Sequence, residues 1–218
     1  MAPSIHFASL YRWLVATQHW HFPRKFAAPL LDIGADDGRF LLQIEAPLKV
    51  GMDLVSRPRG LTYPWIQADG CRLPFPAQSF GHLLAFDVIE HVEKDALLLQ
   101  EAVRVVRPGG TIWLSTPAHQ FYMFPGEIVQ RRFERSIGHV RRGYSAKMLQ
   151  ERLPAGIKVD ITWWNEPAFR AGYLALYLLK RLSAPLPNRL IPALVRYDAG
   201  RPAGEAGHLF ARITVSGK

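Results

Sequence analysis

The residue types able to do chemistry gather in a few short stretches of this chain. The first is LLDIGADDGRF, Leu30 to Phe40, where an apolar run ends at Asp32 and meets a turn of Gly34, Ala35, Asp36, Asp37 and Gly38. A strand, a glycine turn and a helix start form a cradle suited to a nucleotide's phosphates, because backbone N–H groups and the positive end of the helix dipole converge there. Gly34 and Gly38 supply backbone freedom and a close approach that a larger side chain denies. Asp36 and Asp37 argue against a phosphate, since a carboxylate a few ångströms away repels it by roughly 1–4 kcal/mol per contact. The same pair tolerates or favours a ligand carrying an ammonium and a sulfonium, and S-adenosylmethionine is such a ligand. Asp53 follows Asp32 by 21 residues. At that spacing a carboxylate can accept both hydroxyls of a ribose.

A second stretch, DVIEHV, places Asp87, Glu90 and His91 at the end of a predicted strand, in the crevice where open α/β sheets keep their ligands. His91 is the candidate general base, with capping of the next helix as its alternative role. Asp87, Glu90, His91 and His119 also make a set of two carboxylates and two imidazoles that could hold a divalent metal with open positions. The expectation is nevertheless no metal. Cys71 is the one cysteine, which excludes an intramolecular disulfide and a cysteine-cluster metal site and suits a reducing cytoplasm.

The elements that must position these residues alternate from residue 29 onward. PLLDI is a short apolar run of the kind buried on both faces of a sheet. GRFLLQIE is predicted as a helix, LKVGMDL as a second strand, WIQAD as a third, FGHLLAFDVI as a fourth and TIWLSTP as a fifth. In EHVEKDALLLQEAVRVVRPGG, Val92, Ala96, Leu99, Val103 and Val106 keep helical spacing, and Pro108 with Gly109 and Gly110 stops the run. Ser145 caps a helix over AKMLQERL, IKVDITWW is a sixth strand and HLFARITV the last. Such alternation implies right-handed crossovers and an α/β, doubly wound, mostly parallel seven-stranded sheet with helices on both faces.

Six segments taken in order resemble the class I S-adenosylmethionine-dependent methyltransferases, in particular the methyltransferase type 11 group. They are LLDIGADDGRF, VGMDL, QADGCRLPFPAQSF, DVIEHV, EAVRVVRPGGTIWLSTP and, more weakly, GHVRRGYS. The resemblance implies a Rossmann-like fold, S-adenosylmethionine as cofactor and methyl transfer as the activity. It implies that Asp32 holds the first loop and the methionine ammonium, with Gly34, Ala35, Asp36 and Gly38 forming that loop. Met52 and Asp53 would meet the ribose, and Asp69 the adenine amino group with the backbone of Gly70 and Cys71 beside the ring. Phe86 and Asp87 would belong to the cofactor site, Glu90 and His139 would join His91 as catalytic candidates, and His139 and Arg141 would sit near the acceptor mouth or pin the chain before the next helix. Two positions depart from the family pattern: Asp36 replaces the middle glycine of the loop, and Phe80–Gly81 replaces the usual Phe-Asp that opens strand four. A degenerate, non-catalytic cofactor-binding protein is the alternative those departures raise.

Composition fits one soluble domain of 218 residues, 49% hydrophobic and 21% charged. The expected organisation is a helical cap over 1–27, a cofactor core over 28–165, a helical insertion or lid over 166–206 and a last strand over 207–218. The net charge of +9 is uneven: residues 1–130 hold 11 basic against 12 acidic residues, and residues 131–218 hold 16 against 6. A basic back half suggests an anionic partner. Within it, FRAGYLALYLLKRLSAPLPNRLIPALVRY carries apolar runs with basic flanks, the pattern of a lid or of an interfacial element. The first 23 residues lack the features of a signal peptide, and no run reaches the roughly 18–20 apolar residues that span a bilayer. The expected protein is therefore a bacterial, cytoplasmic methyltransferase, peripheral at the inner membrane face. Its acceptor is a small molecule or lipid-like and is methylated on oxygen. A nucleic-acid methyltransferase is disfavoured, because DVIE stands where an N-P-P-Y-like tetrapeptide would be expected.

Overall fold

Leu30–Ile33 (β1) is buried at all four positions because both of its faces are covered. Leu30 faces one apolar cluster and Leu31 the other, the period-two alternation of a strand at the centre of a sheet. The computed structural model describes residues 6–183, 185–201 and 204–216. Parts of the expected cap (1–5), insertion (184, 202 and 203) and last strand segment (217 and 218) lie outside the described residues. The chain opens with helix α1 (Phe7–His19) and passes through β1 into a one-turn helix α2 (Arg39–Leu42). Strands β2 (Lys49–Asp53), β3 (Trp65–Gln67) and β4 (Phe80–Phe86) lead to helix α3 (Asp95–Val105) and strand β5 (Val106–Pro117). Helices α4 (Glu127–Ser136) and α5 (Ala146–Arg152), strand β6 (Lys158–Trp164), helices α6 (Pro167–Leu182) and α7 (Leu186–Asp198) and strand β7 (His208–Thr214) complete it.

The seven strands run in the order β3-β2-β1-β4-β5-β7-β6, parallel up to β5, with β7 antiparallel to both its neighbours. Strand order reverses between β1 and β4, where Leu31 pairs with Val50 on one side and Leu83 on the other. A crevice opens at such a switch point, outside the carboxyl ends of the strands. The expected doubly wound, mostly parallel sheet is the observed one.

The sheet separates two cores. On one face α1, α6 and α7 bring Phe7, Tyr11, Phe169, Ile191 and Val195 onto Trp20, Trp113 and Phe210. On the other, α3 and α5 bring Leu98, Leu99, Ala102 and Leu149 onto Leu31, Leu83 and Ile112. Helices α6 and α7 are fixed to α1 by one buried carboxyl. Asp198, at the end of α7, accepts the Tyr11 hydroxyl at 2.6 Å and the first-turn amides of α6, Ala168 at 2.8 Å and Phe169 at 3.2 Å. Those amides have no partner inside their own helix, so Asp198 closes an N-terminus that Glu166 does not cap.

Three sequence expectations need correction. The helix over GRFLLQIE stops at Leu42, because Lys49 Nζ takes the Leu41 and Ile44 carbonyls at 3.0 and 2.7 Å and ends the helical pattern there. Neither Val92 nor Val106 is in α3: Ile89–His91 form a 3-10 turn, Val92 is extended, and Val106 opens β5. Helix α4 was not anticipated because its buried face is polar. The Gln130 amide oxygen accepts the Met123 and Phe124 amides, and Glu134 accepts from Gln130 and Arg142. Among the described residues no helix is long and apolar enough to cross a membrane.

Asp198→Ala should lower stability by about 3 kcal/mol, since it strands a hydroxyl and two backbone donors in the core. Urea unfolding checks this, with a lower midpoint and an unchanged slope as the expected result.

Candidate functional site

The turn after β1 is built from left-handed residues. Gly34, Asp36 and Gly38 have φ of 69°, 47° and 72°. At Gly34 a Cβ would come within 2.3 Å of the Val88 side chain, so glycine is required by space as well as by conformation. Asp36 tolerates the left-handed region better than most residues, and its amide donates to Asp53 Oδ2 at 2.9 Å. Asp37 faces Arg39, accepting its amide at 3.0 Å and lying 3.4 Å from its guanidinium. Asp37 therefore has a local cation as its partner, while burial and the neighbouring carboxyls Asp37 and Asp53 raise Asp36. The Tyr63 hydroxyl donates to the Gly38 carbonyl and fixes the end of the turn.

This turn borders a cavity of about 560 Å³ at the switch point. Asp32, Gly34, Ala35, Asp36, Met52, Asp53, Asp69, Gly70, Phe86, Asp87 and His91 all line it. Of the other sequence candidates, Gly38 holds the turn from behind. Cys71 turns away, its amide on Asp69 Oδ1 and its sulfur 3.6 Å from the Lys94 carbonyl. Glu90 is 1% exposed and sits beneath the floor with the Thr116 hydroxyl donating to Oε2. His139 lies beside it, Nε2 at 4.0 Å from Glu90 Oε1. His119 is exposed and stands outside this group, so the three donors that converge are Glu90, His91 and His139. Arg141 is a structural pin: it donates to the Ile89, Val92 and Glu93 carbonyls and pairs with Asp95 at 3.0 Å.

The residues that sequence reasoning missed come from far away in the chain. Ser9 and Arg12 of α1 and Ile137 beyond α4 also line the cavity, whereas among the described residues none of 166–206 does. Helix α1 borders the cavity, and α6 and α7 of the 166–206 segment pack against α1. Arg12 bonds Glu166 through both terminal nitrogens and lies 3.4 Å from Asp87. Nothing in the local sequence separates Arg12 from the other basic residues.

Burial, and secondarily the charge of Asp53, pushes the Asp32 carboxyl up to about 8. Burial also raises Asp87, but His208 Nε2 at 2.7 Å, Arg12 and the Ser115 hydroxyl outweigh it and hold that carboxyl low. Burial, then Asp87, drives Glu90 well above its usual range, and burial, then His91, brings His139 down to about 4. The Gly138 carbonyl can only accept, so His91 carries its proton on Nδ1, 3.1 Å away, and Nε2 presents a lone pair. Six carboxyl-bearing residues and one guanidinium line the cavity, an arrangement for a cationic ligand.

Known proteins share part of this sequence and its fold. Residues 31–114 match the family model of a methyltransferase domain. The biotin biosynthesis bifunctional protein BioHC of Cellvibrio japonicus is 30% identical over 110 residues, 46% of this chain; the match spans only 21% of that protein's length. The fold matches the [4+2]-cyclase SpnF with a TM-score of 0.63 at 20% identity, covering 96% of this chain and 82% of that one. It also matches phosphoethanolamine N-methyltransferase 2 of Haemonchus contortus in complex with S-adenosyl-L-methionine, with a TM-score of 0.64 at 14% identity, covering 97% of this chain and 53% of the other.

A carboxyl raised from 3.8 to about 8 favours the folded state most below pH 3.8, and that contribution fades as pH rises through 8. Asp32→Asn should therefore raise stability at pH 8–9 relative to wild type. It should also flatten the pH dependence of Tm between about 4 and 8, which thermal unfolding across that range measures.

Proposed function

Since residues 31–114 match a methyltransferase domain, we propose that the protein is a class I methyltransferase that moves the methyl group of S-adenosylmethionine to an oxygen of a small-molecule or lipid-like acceptor. The charge of the cavity carries this reading. A pyrophosphate would meet six carboxyl-bearing residues, whereas a sulfonium and an ammonium gain from them. The fold alone does not decide the chemistry, since it is shared with a cyclase.

In this reading Asp53 accepts the ribose hydroxyls from the end of β2, where its carboxyl is already held by the Asp36 and Val55 amides. Asp69 takes the adenine amino group beside Gly70, and Asp32 faces the methionine ammonium. Phe40, Phe86, Val92 and Ile137 keep the acceptor end apolar. Displacement at a sulfonium needs alignment and exclusion of water more than acid–base help. A hydroxyl acceptor adds the need for a base, and His91 Nε2 is available to take its proton.

The lipid-like acceptor draws support from α6 and α7. Leu174, Leu178 and Leu182 recur every fourth residue along α6 and are 58%, 53% and 81% exposed. Lys180 and Arg181 adjoin them, and Leu186, Arg189, Leu190 and Arg196 of α7 are exposed as well. Apolar side chains with basic neighbours suit an anionic membrane surface, where each cation adds about 1 kcal/mol.

Calorimetry should detect binding of S-adenosylhomocysteine and none of NAD at the same concentrations. Asp53→Ala should weaken the former by about 1–3 kcal/mol, the cost of unpaired ligand hydroxyls. Near pH 7 the ammonium should drive the proton off Asp32, so the binding heat should vary with the buffer's ionisation enthalpy, and Asp32→Asn should remove that variation. Sedimentation with anionic vesicles should capture the protein at low salt and release it as salt rises; equal capture by neutral vesicles would remove the membrane reading.

A further inference from the structure

We propose that Glu90, His91 and His139 form a binding site for a first-row divalent transition-metal ion at the floor of the acceptor side of the cavity. One donor atom from each residue lies within 4.8 Å of the others. Two imidazoles and a carboxylate match ions of the zinc, iron and cobalt type, and the remaining positions stay open.

The donors are unsatisfied in a way that an ion would cure. Glu90 is buried, and its Oε1 has no hydrogen-bond partner among the described residues; neither does His139 Nδ1. His139 Nε2 stands 4.0 Å from Oε1, too far for a hydrogen bond between them. Burying a carboxyl oxygen without a partner is costly, and native structures seldom leave such a group unexplained; an ion would answer Glu90 Oε1, while His139 can give it only one of its two ring nitrogens.

The surrounding structure also holds the donors in place. Thr116 fixes Glu90 Oε2 at 3.0 Å, and the Gly138 carbonyl fixes the His91 ring so that Nε2 is the atom left to bind. The amide of Val140 donates to the Glu90 carbonyl at 3.0 Å, and Arg141 clasps the Ile89 and Val92 carbonyls. The segment bearing His139 is thereby strapped to the turn bearing Glu90 and His91, and such outer bonds orient metal ligands. Donors around a four-coordinate zinc sit roughly 3.4 Å apart for bonds of about 2.0–2.2 Å. The donors, now within 4.8 Å of one another, would have to draw together by up to about 1.4 Å around such an ion. The Asp87 and His119 considered from sequence are not part of the set: Asp87 is engaged by His208, Ser115 and Arg12, and His119 lies outside the cluster. With the ion bound, His91 Nε2 is a ligand and no longer a base, and the ion itself would lower the pKa of an acceptor hydroxyl on an open position; that part rests on the O-methyl transfer proposed above, and metal binding itself does not.

The test is a titration of tag-free, chelator-treated protein with Co²⁺, followed by visible absorption without cofactor. The expected result is a ligand-field band that saturates at one equivalent, is displaced by Zn²⁺ and is indifferent to millimolar Mg²⁺. Glu90→Gln, His91→Gln and His139→Gln should each weaken binding at least tenfold, while His119→Gln leaves it unchanged. Circular dichroism checks that each variant folds. Because His91 is exposed, its variant reads out binding even if the two buried substitutions unfold the chain. Absence of the band, or a band that survives His91→Gln in folded protein, would overturn the proposal. Failure of methyl transfer with an intact band would overturn only the O-methyl reading.

Discussion

Asp87 is the knot of this structure. It follows β4 with a left-handed φ of 54°, and its carboxyl gathers Ser115 of β5, His208 of β7 and Arg12 of α1. Arg12 in turn takes Glu166, which is fully buried at the start of α6. Three strands and two helices therefore meet through one line of alternating charge. Such groups are costly to desolvate and hold together only as a complete set, because removing one leaves a neighbour buried and unpaired. The cavity wall beside the acceptor is set by that requirement.

The network explains why α1 covers the crevice. Arg12 must reach Asp87 to be neutralised, which draws α1 across the carboxyl end of β4. The aromatic residues of α1 then pack on the sheet, and Phe169 stacks on Tyr11 with ring centres 4.2 Å apart. Asp198 completes the arrangement by tying α7 and the first turn of α6 to the same tyrosine. The inner faces of α6 and α7 are thus core, while Leu174, Leu178 and Leu182 on the outer face of α6 stay exposed.

Charge also shapes the cofactor loop. Placing Asp36 where a small residue would fit costs a left-handed backbone and adds a carboxyl beside Asp53. The loop accommodates both, because the Asp36 amide is bonded by Asp53 and Asp37 is paired with Arg39. A cradle with this composition selects ligands by sign before it selects them by shape.

How far the sequence reaches can be read from particular residues. Buried strands such as LLDI and GHLLAF, the glycine turn between Asp32 and Gly38, and the Ser145 cap were legible because periodicity and local backbone chemistry act within a few residues. The same locality made Asp32, Asp53 and Asp87 visible as strand-end acids, while Asp69 was visible through the family resemblance, and each lines the cavity. Helix α4 escaped because its buried face is held by Gln130 and Glu134, polar side chains that periodicity does not count. Arg12, Ser9 and Ile137, the partnership of Asp87 with His208, and the meeting of His139 rather than His119 with Glu90 depend on contacts between distant segments. The sequence by itself determined the sheet, the loop and the sign of its ligand, because those follow from short-range sterics and from residue charge. Which helix covers the crevice and which imidazoles converge were decided by the tertiary structure, because buried charges choose their partners only after the chain has packed.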